Sequence, residues 1–235
     1  MKLVPLLIFI SFLARGEVFH FPPGDARAGK LTREQFEEVG RSFLVHAWFP
    51  DYQAAGPHIV PRFDWQSPHF MAGTQLENNL FTLHLAGAIG RLPEMDPLGL
   101  AFVLCHELGH LRGGEPRQRV HAEWASLEGQ SDYWGAGVCL RKWLQLDAGL
   151  FHSVPLHPEA LALCRFDLVC SQIVTAGEVF FRAAAPWVSL PSASLSTPER
   201  TRVERTNEFY PSPQCRLDTV VAAALKKPRP RCWYR

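Results

Sequence analysis

One apolar stretch, Leu98 to Leu111, constrains this chain more than any other feature, because it carries two histidines and a glutamate as His106-Glu107-Leu108-Gly109-His110. Pro97 opens the stretch, and Gly113-Gly114 with Pro116 beyond closes it, the punctuation of a helix start and stop. An apolar helix of this kind has to be surrounded by the rest of the fold. Residues four apart lie on one helical face about one turn from each other, so His106 and His110 can offer imidazole nitrogens to a single ion. Glu107 is angled beside them. It can take a proton from a water polarised by that ion without itself binding the ion.

A third protein ligand completes such a centre and leaves one position open. A three-histidine pattern, HExxHxxGxxH, is excluded: Gly113 fits it, but residue 116 is proline. Glu128 follows His110 by 18 residues on a second helix, read from Val120 to Leu146, and is the preferred ligand. His121 and Glu123 come only 11 and 13 residues after His110, which leaves little chain to end one helix and return with another. Asp132 lies four residues beyond Glu128 on the same face, placed to accept the second ring hydrogen of His106 and fix its tautomer.

The surrounding chain reads as a mixture of helices and short strands. Residues 32 to 48 form an amphipathic helix opened by a capping box, Thr32 with Gln35, and burying Phe36, Val39, Phe43 and Leu44. Ile59 to Trp65, His69 to Met71 and Leu80 to Ala88 are β-prone runs separated by Pro, Gly and Asn, expected to form a small, mostly antiparallel sheet. A third helix is read from Pro158 to about Ala185, a Ser/Pro-rich loop from Pro186 to Pro198, and a last helix from Pro213 to Leu225.

The 47% hydrophobic content over 235 residues suffices for a substantial core. The 24 basic and 23 acidic residues nearly cancel, and the basic ones are spread apart from a run between Lys226 and Arg235, which argues against a nucleic-acid partner. The apolar run Leu3 to Ala14, behind Lys2 and ahead of small residues, reads as a secretory signal spanning residues 1–16, with one domain over 17–235. Its length falls short of the ~20 residues of a membrane-spanning helix, so no membrane anchor is expected. No feature marks an oligomeric state. Six cysteines in an exported chain suggest disulfides, with all fifteen pairings open; Cys105 and Cys139 would otherwise be small buried residues of their helices.

His106 to His110 followed by Glu128-Gly129-Gln130-Ser131-Asp132 resembles the gluzincins, and within them the CAAX prenyl protease and HtpX-like metallopeptidases. Glu77-Asn78-Asn79-Leu80-Phe81-Thr82-Leu83 with Ala86-Gly87-Ala88 is similar to that family's strand ahead of the metal helix. The resemblance implies that Leu83, His84 and Leu85 lie on an edge strand that binds an extended substrate through its main chain. Tyr210-Pro211 followed by Arg216 is similar to the family's His-Pro and arginine before a final helix, with tyrosine in place of histidine. By that resemblance Tyr210 stabilises an oxyanion, and Arg216 supports the site from behind. The likeness covers roughly Glu77 to Asp132 and Thr206 to Leu217; the family's membrane helices have no counterpart here.

The expectation is therefore an α+β, zincin-like fold that holds one zinc ion on His106, His110 and Glu128. Glu107 is the general base, and a peptide or protein is the substrate. The protein would act after secretion, in the periplasm or the medium. A scaffold protein that cleaves nothing and an amidase acting on cell-wall peptides are the alternatives, and the intact Glu107 speaks against the first.

Overall fold

The computed structural model describes residues 20–48, 59–78, 80–119, 122–187 and 190–235. The expected signal segment 1–16 lies outside the described residues, as does His121. Among the described residues the chain is α+β, a three-stranded mixed sheet set against several helices.

Helix α1, Arg33–Ser42, begins at the capping box: Thr32 Oγ1 accepts from the Gln35 amide while Gln35 Oε1 accepts from the Thr32 amide. It runs on into a wider helical turn over Phe43–Trp48. Strand β1 is Ile59–Asp64, β2 is Ala72–Glu77 and β3 is Leu80–Ala86, in the spatial order β1-β3-β2. The middle strand lies at 72–77 rather than 69–71, and only β2 and β3 are antiparallel; β1 and β3 run parallel. The chain reverses once between β1 and β2 and again in the short β2–β3 turn at Asn78, where φ is +48°. Two reversals restore the original direction, and the outer strand β1 must then pair in parallel.

Helix α2, Pro97–Arg112, carries the histidines and forms the centre of the molecule. Asp96 caps it by accepting from the Gly99 amide at 2.8 Å, Pro97 supplies the fixed φ of a first turn, and the residues from Leu98 to His110 are buried. The second helix begins at Glu128: of the turns read ahead of it, Val120 lies outside the described residues and 122–127 is not helical. Ahead of it the chain forms a loop in which Arg117 bridges to Ser126, and the Ser126 amide donates to His110 O at 2.8 Å. These cross-chain bonds take backbone groups that a helix would have used. From Glu128 helix α3 continues as Glu128–Trp134, a wider stretch Gly135–Leu140 and a last part Arg141–Leu146.

The helix read from Pro158 to Ala185 is two helices, α4 (Pro158–Leu163) and α5 (Leu168–Ala184). Between them Arg165 and Phe166 take left-handed φ values of +51° and +63°, and Asp167 recaps the chain by accepting from the Cys170 amide. Helix α6 is Pro213–Ala224, capped by Ser212.

All six cysteines are paired, as Cys105–Cys139, Cys164–Cys170 and Cys215–Cys232. The first joins α2 to α3 one residue before His106, so Cys105 and Cys139 are buried as a bridge and not as thiols. Close backbone approach completes this pairing. A Cβ on Gly109 would come within 2.7 Å of Ser131 O, and one on Gly135 within 2.8 Å of Cys105 O. No described helix is long and apolar enough to cross a membrane.

Candidate metal centre

His106 and His110 leave α2 on the face turned toward the first turn of α3. Their Nε2 atoms stand 3.2 Å apart. Glu128, the first residue of α3, completes the group: its Oε2 is 3.4 Å from His106 Nε2 and its Oε1 is 3.6 Å from His110 Nε2. One ligand atom from each of the three lies within 4.8 Å of the others, and all three residues are buried, so they can hold one metal ion.

The outer nitrogens are both engaged. His106 Nδ1 is 2.7 Å from Asp132 Oδ1, and His110 Nδ1 is 2.9 Å from the carbonyl of Ser126. Each Nδ1–H donates to its oxygen, which leaves both Nε2 atoms turned inward. Glu128 Oε2 is likewise buried without a hydrogen bond. Two imidazole nitrogens and a carboxylate converge in one buried place, and Arg216 meets Glu128 Oε2 from one side at 3.2 Å. A metal ion is the ligand that this donor set fits.

The charges around the group are arranged to match. Burial disfavours charge on Glu128, but Arg216 and His110 outweigh it and hold the carboxyl well below the usual range, with Arg216 Nη2 3.2 Å from Glu128 Oε2. Burial likewise opposes charge on Asp132, and Arg216 and His106 overcome it. Arg216 makes a two-point bond to Asp132, Nε to Oδ2 at 2.7 Å and Nη2 to Oδ1 at 2.9 Å. Its guanidinium lies 5.3 Å from the Phe181 ring centroid and 5.8 Å from that of Tyr210. For His106, burial opposes the charged form, but the Asp132 carboxylate prevails and raises the imidazole to about 10. His110 has no such carboxylate on Nδ1, and burial lowers it.

Glu107 is buried beside the group, and burial raises its carboxyl to about 7. Its carbonyl accepts from Thr74 Oγ1 at 3.1 Å, which fastens strand β2 alongside α2. Tyr210 comes in from the segment before α6. Its residue is 40% exposed, yet the hydroxyl is the inner end and is hydrogen bonded to Glu128; burial first, and the Glu128 charge second, push the phenol well above its ordinary range. The hydroxyl stays a protonated donor.

Leu83, His84 and Leu85 stand elsewhere. They lie on β3, which is bonded to β1 on one side and β2 on the other, and Leu83 and Leu85 are buried. A central strand has no free main-chain edge to offer an extended ligand. Among the described residues the free edge nearest the centre belongs to β2. Glu123, the rejected alternative to Glu128, is exposed and lines a separate surface groove with Arg117 and Arg119.

Sequence reasoning missed Ser126, Phe181, Thr74 and the glycine contacts. Ser126 acts at His110 through a carbonyl, which every residue has, so no side-chain pattern could reveal it. The glycine of the histidine motif was a usable signal: Gly109 sits where α3 crosses at closest approach.

Comparison of the chain with protein-family models, with curated proteins and with solved structures finds no match.

Proposed function

We propose that the protein is a zinc-dependent peptidase that works after export from the cell. The observation that carries this reading is the convergence of His106 Nε2, His110 Nε2 and Glu128 on one point, with both outer nitrogens fixed by acceptors and Glu107 buried alongside. Two imidazoles and one carboxylate are a donor set that zinc takes in hydrolytic sites with an open fourth position. A structural zinc site has no use for the extra carboxylate of Glu107.

Zinc bound there would acidify a water and polarise the carbonyl to be attacked. The remaining work belongs to the chain. Glu107, raised by burial to about 7, is poised to accept the water's proton during attack and to return it to the leaving nitrogen. Asp132 and the Ser126 carbonyl keep both imidazoles in the tautomer that points Nε2 inward. Tyr210, held protonated, turns from Glu128 to donate to the developing oxyanion, a contact worth about 3 kcal/mol where one such donor is removed. An extended peptide would add to the free edge of β2, which Thr74 fastens to the backbone of Glu107. This assigns to β2 the role first expected of Leu83 to Leu85.

Three disulfides and the leader-like segment support action in an oxidising compartment. The test is cleavage of a mixed peptide library by the purified chain and by Glu107→Gln. Cleavage by the wild type and its loss, with zinc retained, in the variant is the expected result. Zinc retained with no cleavage by either form would favour a scaffold role, and cleavage confined to cell-wall peptides an amidase.

A further inference from the structure

The ligand Glu128 opens α3, yet that helix start has no side-chain cap: the residue before it, Leu127, contributes none. The first turn of a helix is its loosest part, with four amides lacking helical partners. A metal ligand placed there needs another restraint. The structure supplies it from the segment 230–235. A Cβ on Gly129 would lie 2.4 Å from Trp233 Cδ2 and 2.5 Å from Trp233 Cε2, so the indole rests directly on the backbone of the residue after Glu128. Trp233 is fully buried, in a small core of its own with Cys215, Cys232 and Tyr234. Its Nε1 has no hydrogen-bond partner, so the ring is kept for its packing.

Two further links run from the same segment to the same carboxylate. Cys232 is bridged to Cys215, the neighbour of Arg216, whose Nη2 is 3.2 Å from Glu128 Oε2. The carbonyls of Arg231 and Trp233 accept from the amides of Val203 and Asn207 at 2.8 and 2.7 Å. They thereby hold the strap that ends in Tyr210, itself bonded to Glu128. Backbone packing, a disulfide and a strap thus converge on one ligand.

We infer that Trp233 is a positioning residue for the metal centre: by lying on Gly129 it fixes the first turn of α3 and sets the direction in which Glu128 offers its carboxylate. This rests on the metal-site reading above. Residues that orient a ligand change metal affinity on removal, typically by ten- to a hundred-fold, even when the fold persists. A ring held only for overall stability would lower the melting temperature and leave the affinity of the folded protein unchanged.

The experiment measures zinc affinity by chelator competition, the visible absorption of the cobalt-substituted centre, and thermal unfolding by circular dichroism, on the full chain. Trp233→Ala is expected to bind zinc roughly ten-fold or more weakly and to alter the cobalt spectrum. Trp233→Phe, which keeps an aromatic ring but loses the unused N–H and part of the indole's packing surface, should restore part of both. Gly129→Ala leaves the tryptophan in place but forces the ring off the backbone, so it should reproduce the affinity loss, and it decides the matter if Trp233→Ala does not fold. A Cys164→Ala/Cys170→Ala control should lower the melting temperature without moving affinity or spectrum. Wild-type affinity and spectrum in folded Trp233→Ala or Gly129→Ala would overturn the inference. A wild-type chain that binds no metal would instead remove the reading on which it rests.

Discussion

Arg216 grips Asp132 at two points, 2.7 and 2.9 Å, while the same Asp132 Oδ1 stands 2.7 Å from His106 Nδ1. The carboxylate is fully buried and shared by a fixed cation and an imidazole. Removing the cation leaves Asp132 and Glu128 buried with less positive charge to offset their mutual repulsion. Arg216→Ala should therefore cost about 3–5 kcal/mol, the usual effect of breaking a buried pair from one side. Urea denaturation of the metal-free protein measures it; a loss below about 1 kcal/mol would mean that water reaches the pair and screens it.

Helices α2 and α3 meet at glycines. Gly109→Ala places a methyl 2.7 Å from Ser131 O, and Gly135→Ala one 2.8 Å from Cys105 O. Alanine favours helices by roughly 1 kcal/mol over glycine, but the obstacle in each case is backbone, which cannot swing aside. Both variants should lose about 1–3 kcal/mol net. A stabilised variant in thermal melts would show that the helices separate at little cost.

The disulfides should differ in value as their loops do. They close sequence separations of 34, 17 and 6 residues for Cys105–Cys139, Cys215–Cys232 and Cys164–Cys170. Loop-closure entropy assigns about 4, 3 and 2 kcal/mol in that order. Paired Cys→Ala variants compared by guanidinium denaturation check the ranking. Equal losses for all three would argue against an unfolded-state origin.

Much of this was readable in advance, and the reasons differ by element. Helix α2 announces itself through Pro97 at the start, Gly113 at the end and an unbroken apolar register. The spacing from His110 to Glu128 and Asp132 brings those residues to one place. Strand β2 gave no comparable signal, because Ala72-Gly73-Thr74-Gln75 has neither alternation nor β-branched density; its ladder to β3 makes it a strand. The start of α3 was misread because the loop ahead of it is held by tertiary hydrogen bonds that no local pattern encodes. Tyr210 and Arg216 were reached only through a likeness to another family. Trp233 on Gly129 joins residues far apart in the chain, and a glycine carries no side chain to suggest what lies against it.

Asp96 makes the fold's stability depend on pH. Burial raises its carboxyl from 3.8 to about 6, against the hydrogen bonds from Gly99 and Leu98 that favour charge. A carboxyl raised on folding binds its proton more tightly in the native state. Its ionisation thus costs nothing below pH 3.8, costs progressively more up to about pH 6, and costs a constant amount above. Asp96→Asn keeps an acceptor for the Gly99 amide and removes that cost. Discounted for the partial exposure of Asp96, the variant should be about 1–2 kcal/mol more stable than wild type at pH 7, with the gap closing toward pH 4. A constant gap across this range in pH-dependent denaturation would exclude Asp96 as its source.

Zinc content per chain is the most direct measurement of whether His106, His110 and Glu128 form a metal centre. After equilibration with zinc and removal of excess, elemental analysis should give one zinc per chain for the wild type, Glu107→Gln and Glu123→Ala, and none for Glu128→Ala. A wild-type chain that stays free of metal, or Glu128→Ala that retains it as well as the wild type does, would contradict the assignment.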